Sequence, residues 1–249
     1  MAMIITATDF GFEGPYLGQM KAVLLREAPG VPVLDLIADL PAFEVRAAAH
    51  LLAAAIHDLP QDAVVLGVVD PGVGTERGAC VVQADGRWFV GPDNGLFDVL
   101  AARADRLAWW NLDWRPERLS NSFHGRDLFA PVAARIARGE PVPGTPVDPA
   151  GRLDPAAGAD WPAVVYADRF GNLMTGLRAA FVPREAVVRA GGVELHYART
   201  FGAVPVGAAF WYENALGLVE LAVHRGSARA RLGLAVGDPV EVLPEQASR

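Results

Sequence analysis

The sequence predicts an α/β protein, with an N-terminal domain built on a doubly wound, mostly parallel sheet and a smaller, barrel-like all-β domain after it. Three observations carry this expectation. Strand-length apolar runs alternate with helical patterns through the first half of the chain, as in βαβ units whose sheet is covered on both faces. Short strands separated by turn residues dominate after Pro162, which suits a small barrel or sandwich. Between them, Pro141 to Pro162 is rich in Pro, Gly, Ala and Asp and follows neither period. The expected boundaries are 1–145 for the α/β domain, 146–162 for a linker and 163–249 for the β domain. A chain of 249 residues is long enough for two such cores.

Ile4-Ile5-Thr6-Ala7-Thr8 reads as a buried strand ending at Asp9. From Tyr16 to Glu27, Leu17, Met20, Val23 and Leu24 recur at helical spacing. Val31 to Ile37 is a second short apolar strand, and Phe43 to Leu59 an Ala-rich helix that Pro60 stops. Val64 to Val69 is a third strand and runs directly into Asp70-Pro71-Gly72. Val81 to Gln83 and Trp88 to Val90 flank Ala84-Asp85-Gly86-Arg87, which predicts a hairpin. Helical patterns return at Leu96 to Ala104 and Leu128 to Arg138. In the last part, strands are expected at Ala163 to Ala167, Val187-Val188, Val193 to Tyr197, Gly217 to Val223 and Pro239 to Leu243.

Composition narrows the function. A net charge of -7 argues against a general nucleic-acid binder, which needs a basic face. The single cysteine, Cys80, leaves no internal disulfide and no multi-cysteine zinc site, and its apolar neighbours make it a buried strand residue. The start of the chain lacks a basic segment followed by a long apolar run, and no segment has the length and apolarity of a membrane span. A cytoplasmic protein with no membrane partner is expected.

Ligands of open α/β sheets bind beyond the carboxyl ends of the strands. Asp9 and Asp70 fall at such ends, each followed closely by glycine. A carboxylate there can accept bonds from two vicinal ribose hydroxyls, or it can simply cap a helix or a turn. Gly72-Val73-Gly74 lacks the rest of a dinucleotide or P-loop fingerprint, and no lysine follows it. Asn121-Ser122-Phe123-His124-Gly125-Arg126-Asp127 is dense in polar chemistry just before a helix. It lacks the two-histidine spacing of a zinc site, and its arginine disfavours a cation, so no metal is expected. Asp168-Arg169-Phe170-Gly171-Asn172 is a hairpin turn in local terms, with Gly171 or Asn172 at positive φ. As a functional element, its Asp168 could hold an ammonium and its Asn172 an adenine edge.

Taken in order, these segments resemble the S-adenosylmethionine hydroxide adenosyltransferase family, relatives of the fluorinating and chlorinating enzymes. The matching pieces are Thr8-Asp9-Phe10-Gly11, Tyr16 to Lys21, Asp70 to Arg77, Gly91-Pro92-Asp93-Asn94-Gly95-Leu96, Phe123 to Asp127, Asp168 to Asn172, and a tail from Glu213-Asn214 through Gly217, Glu220 and Arg225-Gly226 to Gly237-Asp238. The resemblance implies cleavage of S-adenosylmethionine by water to adenosine and methionine, without a cofactor. It implies a homotrimer whose active sites lie between one subunit's N-terminal domain and its neighbour's C-terminal domain. It assigns water activation to Asp70, Arg77 and His124, the ribose to Asp9, the methionine ammonium to Asp168 and an adenine contact to Asn172. It also implies substrate contacts at Phe43 and Phe123.

The chain also departs from its halogenating relatives. They resemble it with a tyrosine-like residue at Asp70 and a Tyr-Ser pair near His124-Gly125, and glycine has no hydroxyl for a halide. The long insertion of the fluorinating branch is missing, and Ala215 replaces a serine found in many relatives. A halide-dependent synthase of 5′-halo-adenosine and a non-catalytic adenosine or S-adenosylmethionine sensor are the alternative readings. A methyltransferase is disfavoured because the glycine-rich first loop is missing after Ile4-Ile5-Thr6.

Overall fold

The computed structural model describes residues 3–244. Met1 and Ala2, part of the start read above for a leader, and residues 245–249 of the expected β domain lie outside the described residues. The chain divides into two compact units between Gly158 and Ala159.

The first unit is built on a seven-stranded sheet. Its elements are β1 (Ile4–Thr8), α1 (Tyr16–Glu27), β2 (Val33–Ile37), α2 (Val45–Ala55), β3 (Val64–Val68), β4 (Ala79–Ala84), β5 (Arg87–Pro92), α3 (Asp98–Ala102), β6 (Leu107–Leu112), α4 (Ala130–Ala137) and β7 (Gly144–Val147). The strand order is β2-β1-β3-β5-β4-β6-β7. The pairings from β2 to β5 are parallel, and those from β5 to β7 antiparallel. Every residue of β1 and β3 is buried, as expected of central parallel strands covered on both faces. The β4–β5 hairpin turns on Asp85 and Gly86 at φ 50 and 94, the left-handed pair that a two-residue turn matched to sheet twist requires.

The order has a consequence for binding. The chain passes from β1 to β2 on one side and then returns past β1 to β3 on the other, so the direction of winding reverses between β1 and β3. A crevice for a ligand opens at the carboxyl ends of strands on either side of such a reversal.

α1 matches its expected span and buries the four residues that predicted it. The second helix begins two residues later than expected. Phe43 sits at φ 66, a left-handed conformation that a right-handed helix cannot include. Residues 146–162, expected as a linker, hold the end of β7, short 3₁₀ turns at Pro149–Gly151 and Pro155–Gly158, and the start of the next strand. The Gly158 carbonyl accepts a bond from Arg103 Nε at 3.0 Å, and Arg152 lies over the Trp109 ring at 4.8 Å. These contacts tie the stretch as far as Gly158 to the first unit.

The second unit comprises β8 (Trp161–Ala167), β9 (Leu173–Arg178), β10 (Val187–Ala190), β11 (Val193–Leu195), β12 (Ala209–Glu213), β13 (Leu218–Val223), α5 (Ala228–Leu232) and β14 (Glu241–Leu243). A four-stranded sheet, β12-β13-β9-β8, and a three-stranded sheet, β11-β10-β14, are antiparallel throughout. Val188 and Leu195 of the smaller sheet share one apolar core with Val164, Leu173, Trp211 and Leu221 of the larger. Among the described residues, no helix is long and apolar enough to cross a membrane.

Candidate active site

The register of β1 against β3 pairs Thr8 with Val68, so the residues that follow both strands leave the sheet side by side at its carboxyl edge. The Asp9 N–H donates to the Val68 carbonyl at 3.2 Å. Asn94 donates its side-chain amide to the Val69 carbonyl at 2.9 Å, which fixes the exit of the chain towards Asp70. Burial pushes the Asp9 carboxyl above its ordinary range; the Phe43 backbone N–H opposes this, and the Asp70 charge adds to the rise.

Seven residues beyond Asp70, Arg77 returns to it. Arg77 Nε donates to Asp70 Oδ1 at 3.0 Å and Nη2 donates to Oδ2, a forked ion pair. The side chains are 5% exposed at Asp70 and 9% at Arg77. Such a fork fixes both planes at once, which a lysine could not do. Arg77 Nη2 also lies 3.2 Å from His124 Nδ1. Guanidinium has donors and no acceptor, so His124 Nδ1 must present its lone pair, and a neutral imidazole then carries its proton on Nε2. Burial first, and then the Arg77 charge, hold the His124 imidazole below its usual pKa, which favours this neutral form.

The loops that deliver these groups are shaped by particular residues. Gly74 sits at φ 79, and a Cβ there would collide with the Asn121 carbonyl. Only glycine lets the Asp70 loop close onto the loop that carries His124. Arg126 and Asp127 brace that second loop. They pair at 2.6 Å, Asp127 accepts the Ser120 N–H at 2.9 Å, and Arg126 stacks on Phe123 at 5.0 Å. A π-turn over Gly125–Phe129 then leads into α4.

Asp9, Phe10, Phe43, Asp70, Ser122, Phe123, His124 and Gly125 line a cleft of about 160 Å³, together with Val68 and Val73. Six residues singled out from the sequence therefore meet here in one unit: Asp9, Phe43, Asp70, Phe123 and His124 on its wall, with Arg77 behind Asp70. Phe43 is 74% exposed, and its left-handed backbone turns it to the cleft where a helix was expected. Phe123 packs edge to face against Phe10 and Tyr16, and these two rings meet at a tilt. Phe10 stands in the Thr8 to Gly11 motif, but its place on the wall comes from its contact with Gly125, where a Cβ would lie 3.2 Å from the Phe10 ring, and no local pattern encodes that contact.

Asp168 and Asn172 lie in the second unit, in the β8–β9 turn. Asp168 Oδ1 accepts the Phe170 and Asn172 N–H groups at 2.9 and 2.8 Å, and Oδ2 accepts the Asn172 side-chain amide at 2.9 Å. Gly171, at φ 82, takes the left-handed position. The turn reading thus accounts for their local geometry. Beside them, the buried Glu220 carboxylate accepts the Tyr212 hydroxyl at 2.5 Å and the Asn214 amide at 2.8 Å. Burial raises the Glu220 carboxyl, with Asp168 adding to the rise, and burial and the Glu220 bond raise the Tyr212 hydroxyl. Sequence reasoning missed Tyr212 because its bond arises from cross-strand register, Tyr212 opposite Glu220.

Cys80 is buried in β4 with its thiol pushed up to about 12, chiefly by burial, which leaves it protonated and unreactive. Among the described residues, no three His, Cys, Asp or Glu side chains gather as they would to hold a metal ion.

Comparison with known proteins gives this arrangement a family. The description of the SAM hydroxide adenosyltransferase N-terminal domain matches residues 4–145, and that of the C-terminal domain matches 162–241. The chain belongs to the SAM hydroxide adenosyltransferase family. Within it, the chain is 44% identical to an (R)-S-adenosyl-L-methionine hydrolase of Thermus thermophilus, over 98% of this chain and all of that one. It is 36% identical to a protein of the same name from Salinispora arenicola, covering 94% and 95% of the two chains. Among solved structures, a conserved protein of Thermotoga maritima superposes with a TM-score of 0.86 at 32% identity, covering 97% of this chain and all of that one. Adenosyltransferase domains thus occupy both halves of the chain, in keeping with the α/β and β parts read from the sequence.

Proposed function

We propose that this chain hydrolyses S-adenosylmethionine to adenosine and methionine, with the R configuration at sulfur as the preferred substrate. The observation that carries the reading is the Asp70–Arg77–His124 arrangement in a cleft beside Asp9. A water oxygen bonds to ribose C5′ as the C5′–S bond breaks, and the bonding pair leaves with sulfur as a neutral thioether. The sulfonium needs no acid to leave, so the task falls on the nucleophile, whose pKa is about 15.7 in bulk water.

Asp70 takes the water proton and passes it to solvent. A carboxylate has four acceptor positions, and the Arg77 fork occupies two of them. His124, with its Nδ1 committed to Arg77, donates from Nε2 to orient the oxygen and does not act as the base. Asp9 accepts the ribose hydroxyls, and Phe43 and Phe123 give apolar walls to the nucleoside. The R epimer is chosen because relatives at 36–44% identity carry that substrate in their names.

A drug-sized ligand needs roughly 300–1,000 Å³, about twice or more the cleft that one N-terminal unit offers. We place the remaining wall on a second subunit of a homotrimer, with Asp168 of the partner subunit at the methionine ammonium and Asn172 of the partner subunit at adenine. The exposure of Phe12, Tyr16 and Phe43 supports this, since apolar surface of that size invites cover.

The test of the reaction is product analysis in ¹⁸O water, with the two sulfur epimers supplied separately. Adenosine labelled at O5′, formed faster from the R epimer, is expected. Intact ligand after hours, or 5′-halo-adenosine as the main product with halide present, overturns the hydrolase reading. The shared site has its own test. Co-expressed Asp70→Asn and Asp168→Asn subunits, each inactive alone, should recover about a quarter of parental activity, since random assembly restores that share of sites. No recovery in a verified mixed trimer would show that each subunit works alone.

A further inference from the structure

We infer that Phe129 is a positioning residue for the water-activating trio, holding the Arg77 guanidinium and the His124 imidazole against each other from below. The inference rests on the roles proposed above for Asp70, Arg77 and His124. The guanidinium is held on its edges: Nε and Nη2 by Asp70, Nη2 also by His124, and Nη1 by the Gly78 carbonyl. Its Cζ lies over the Phe129 ring, 5.5 Å from the ring centre, within cation–π range. The same ring meets the His124 imidazole edge to face, at 6.4 Å and 83°.

The backbone is bent to make this contact. Phe129 lies five residues after His124, and on an α-helix that spacing puts two side chains about 140° apart. The π-turn over Gly125–Phe129, closed by the Ala130 N–H on the Gly125 carbonyl, holds an extra residue and so swings the fifth position round towards the first. A π-turn carries poorer local geometry than a regular helix, and here it brings one fully buried ring against Arg77 and His124, two of the three members of the trio.

The test compares Phe129→Leu with Phe97→Leu in the full chain. Phe97 is also buried in the first unit, and packs on Phe89. Both variants should lose thermal stability, since both open a cavity. Phe129→Leu alone should lower kcat, by about ten- to thirtyfold, with KM within about twofold. The pH profile is the second readout. The charged groups acting on His124 are Arg77, Asp70, Arg115 and Asp127, and Arg77 is the strongest of them, lowering its pKa. Loosening Arg77 weakens that depression, so the acid limb of kcat should move to higher pH in Phe129→Leu and stay in place in Phe97→Leu. Equal kcat losses in the two variants, or a loss confined to KM, would overturn the inference. Phe129→Met fills the gap with a flexible chain but no ring and carries the same expectation, should the leucine variant fail to fold. If Asp70→Asn keeps full turnover, the underlying roles fail; if it is inactive while Phe129→Leu behaves as Phe97→Leu, only the role of Phe129 fails.

Discussion

Asp70→Asn is expected to lower kcat for adenosine formation by at least about 10³-fold and to leave KM within a few-fold. Asparagine keeps the shape of the side chain and one acceptor oxygen, so the loop and the cleft should persist. It loses the ability to take a proton from water, and its amide group opposes Arg77 Nη2, donor against donor. His124 cannot substitute as the base in the observed arrangement, because its Nδ1 lone pair faces Arg77 and Nε2 holds the proton. The binding groups Asp9, Phe43 and Phe123 are untouched, which is why the loss should fall on kcat. Steady-state kinetics with mass-spectrometric detection of adenosine decides the matter. Retention of more than a tenth of parental kcat would move the base elsewhere.

Much of this site was legible because it sits where local rules are strong. The strands β1 and β3 are buried on both faces, so they read as unbroken apolar runs, and the acids that follow them mark the carboxyl edge of the sheet. The Arg77 return to Asp70 is also a short-range event, closed by a glycine turn. Other features depend on residues far apart in the chain. Arg77 meets His124 across 47 positions, and no periodicity encodes that distance. Phe43 lies in an Ala-rich stretch that reads as helix, yet its backbone takes φ 66 as the chain turns past the Asp9 carboxylate. The β6 and β7 strands were missed because Leu107–Leu112 includes Ala108 and Asn111, residue types depleted in strands, and Gly144–Val147 contains Pro146, which an edge strand tolerates. The π-turn was invisible for a different reason: the apolar pattern from Leu128 onward fits an ordinary helix, and the extra residue shows only in where His124 and Phe129 point.

Arg77→Met should remove activity and stability together, and the two losses can be separated. Asp70 and Arg77 are nearly buried, so methionine would leave a carboxylate without its counter-charge. Breaking one half of a buried pair costs about 3–5 kcal/mol, which for a unit of this size lowers Tm by roughly 10 °C. Turnover should fall by at least about 10²-fold, because Asp70 loses its orientation and His124 loses the donor that sets its tautomer. Replacing both partners, Asp70→Leu with Arg77→Met, takes both charges out of the interior and should restore most of the lost stability. It should restore none of the activity. Thermal melts and kcat measured on the same preparations separate the two roles, since the double variant should regain Tm while kcat stays lost. A parental Tm in Arg77→Met would mean that water reaches Asp70 freely. Recovery of turnover in the double variant would mean that the water is activated without either residue, and the task would fall to Asp9 and the neutral His124, the other titratable side chains on the described cleft wall.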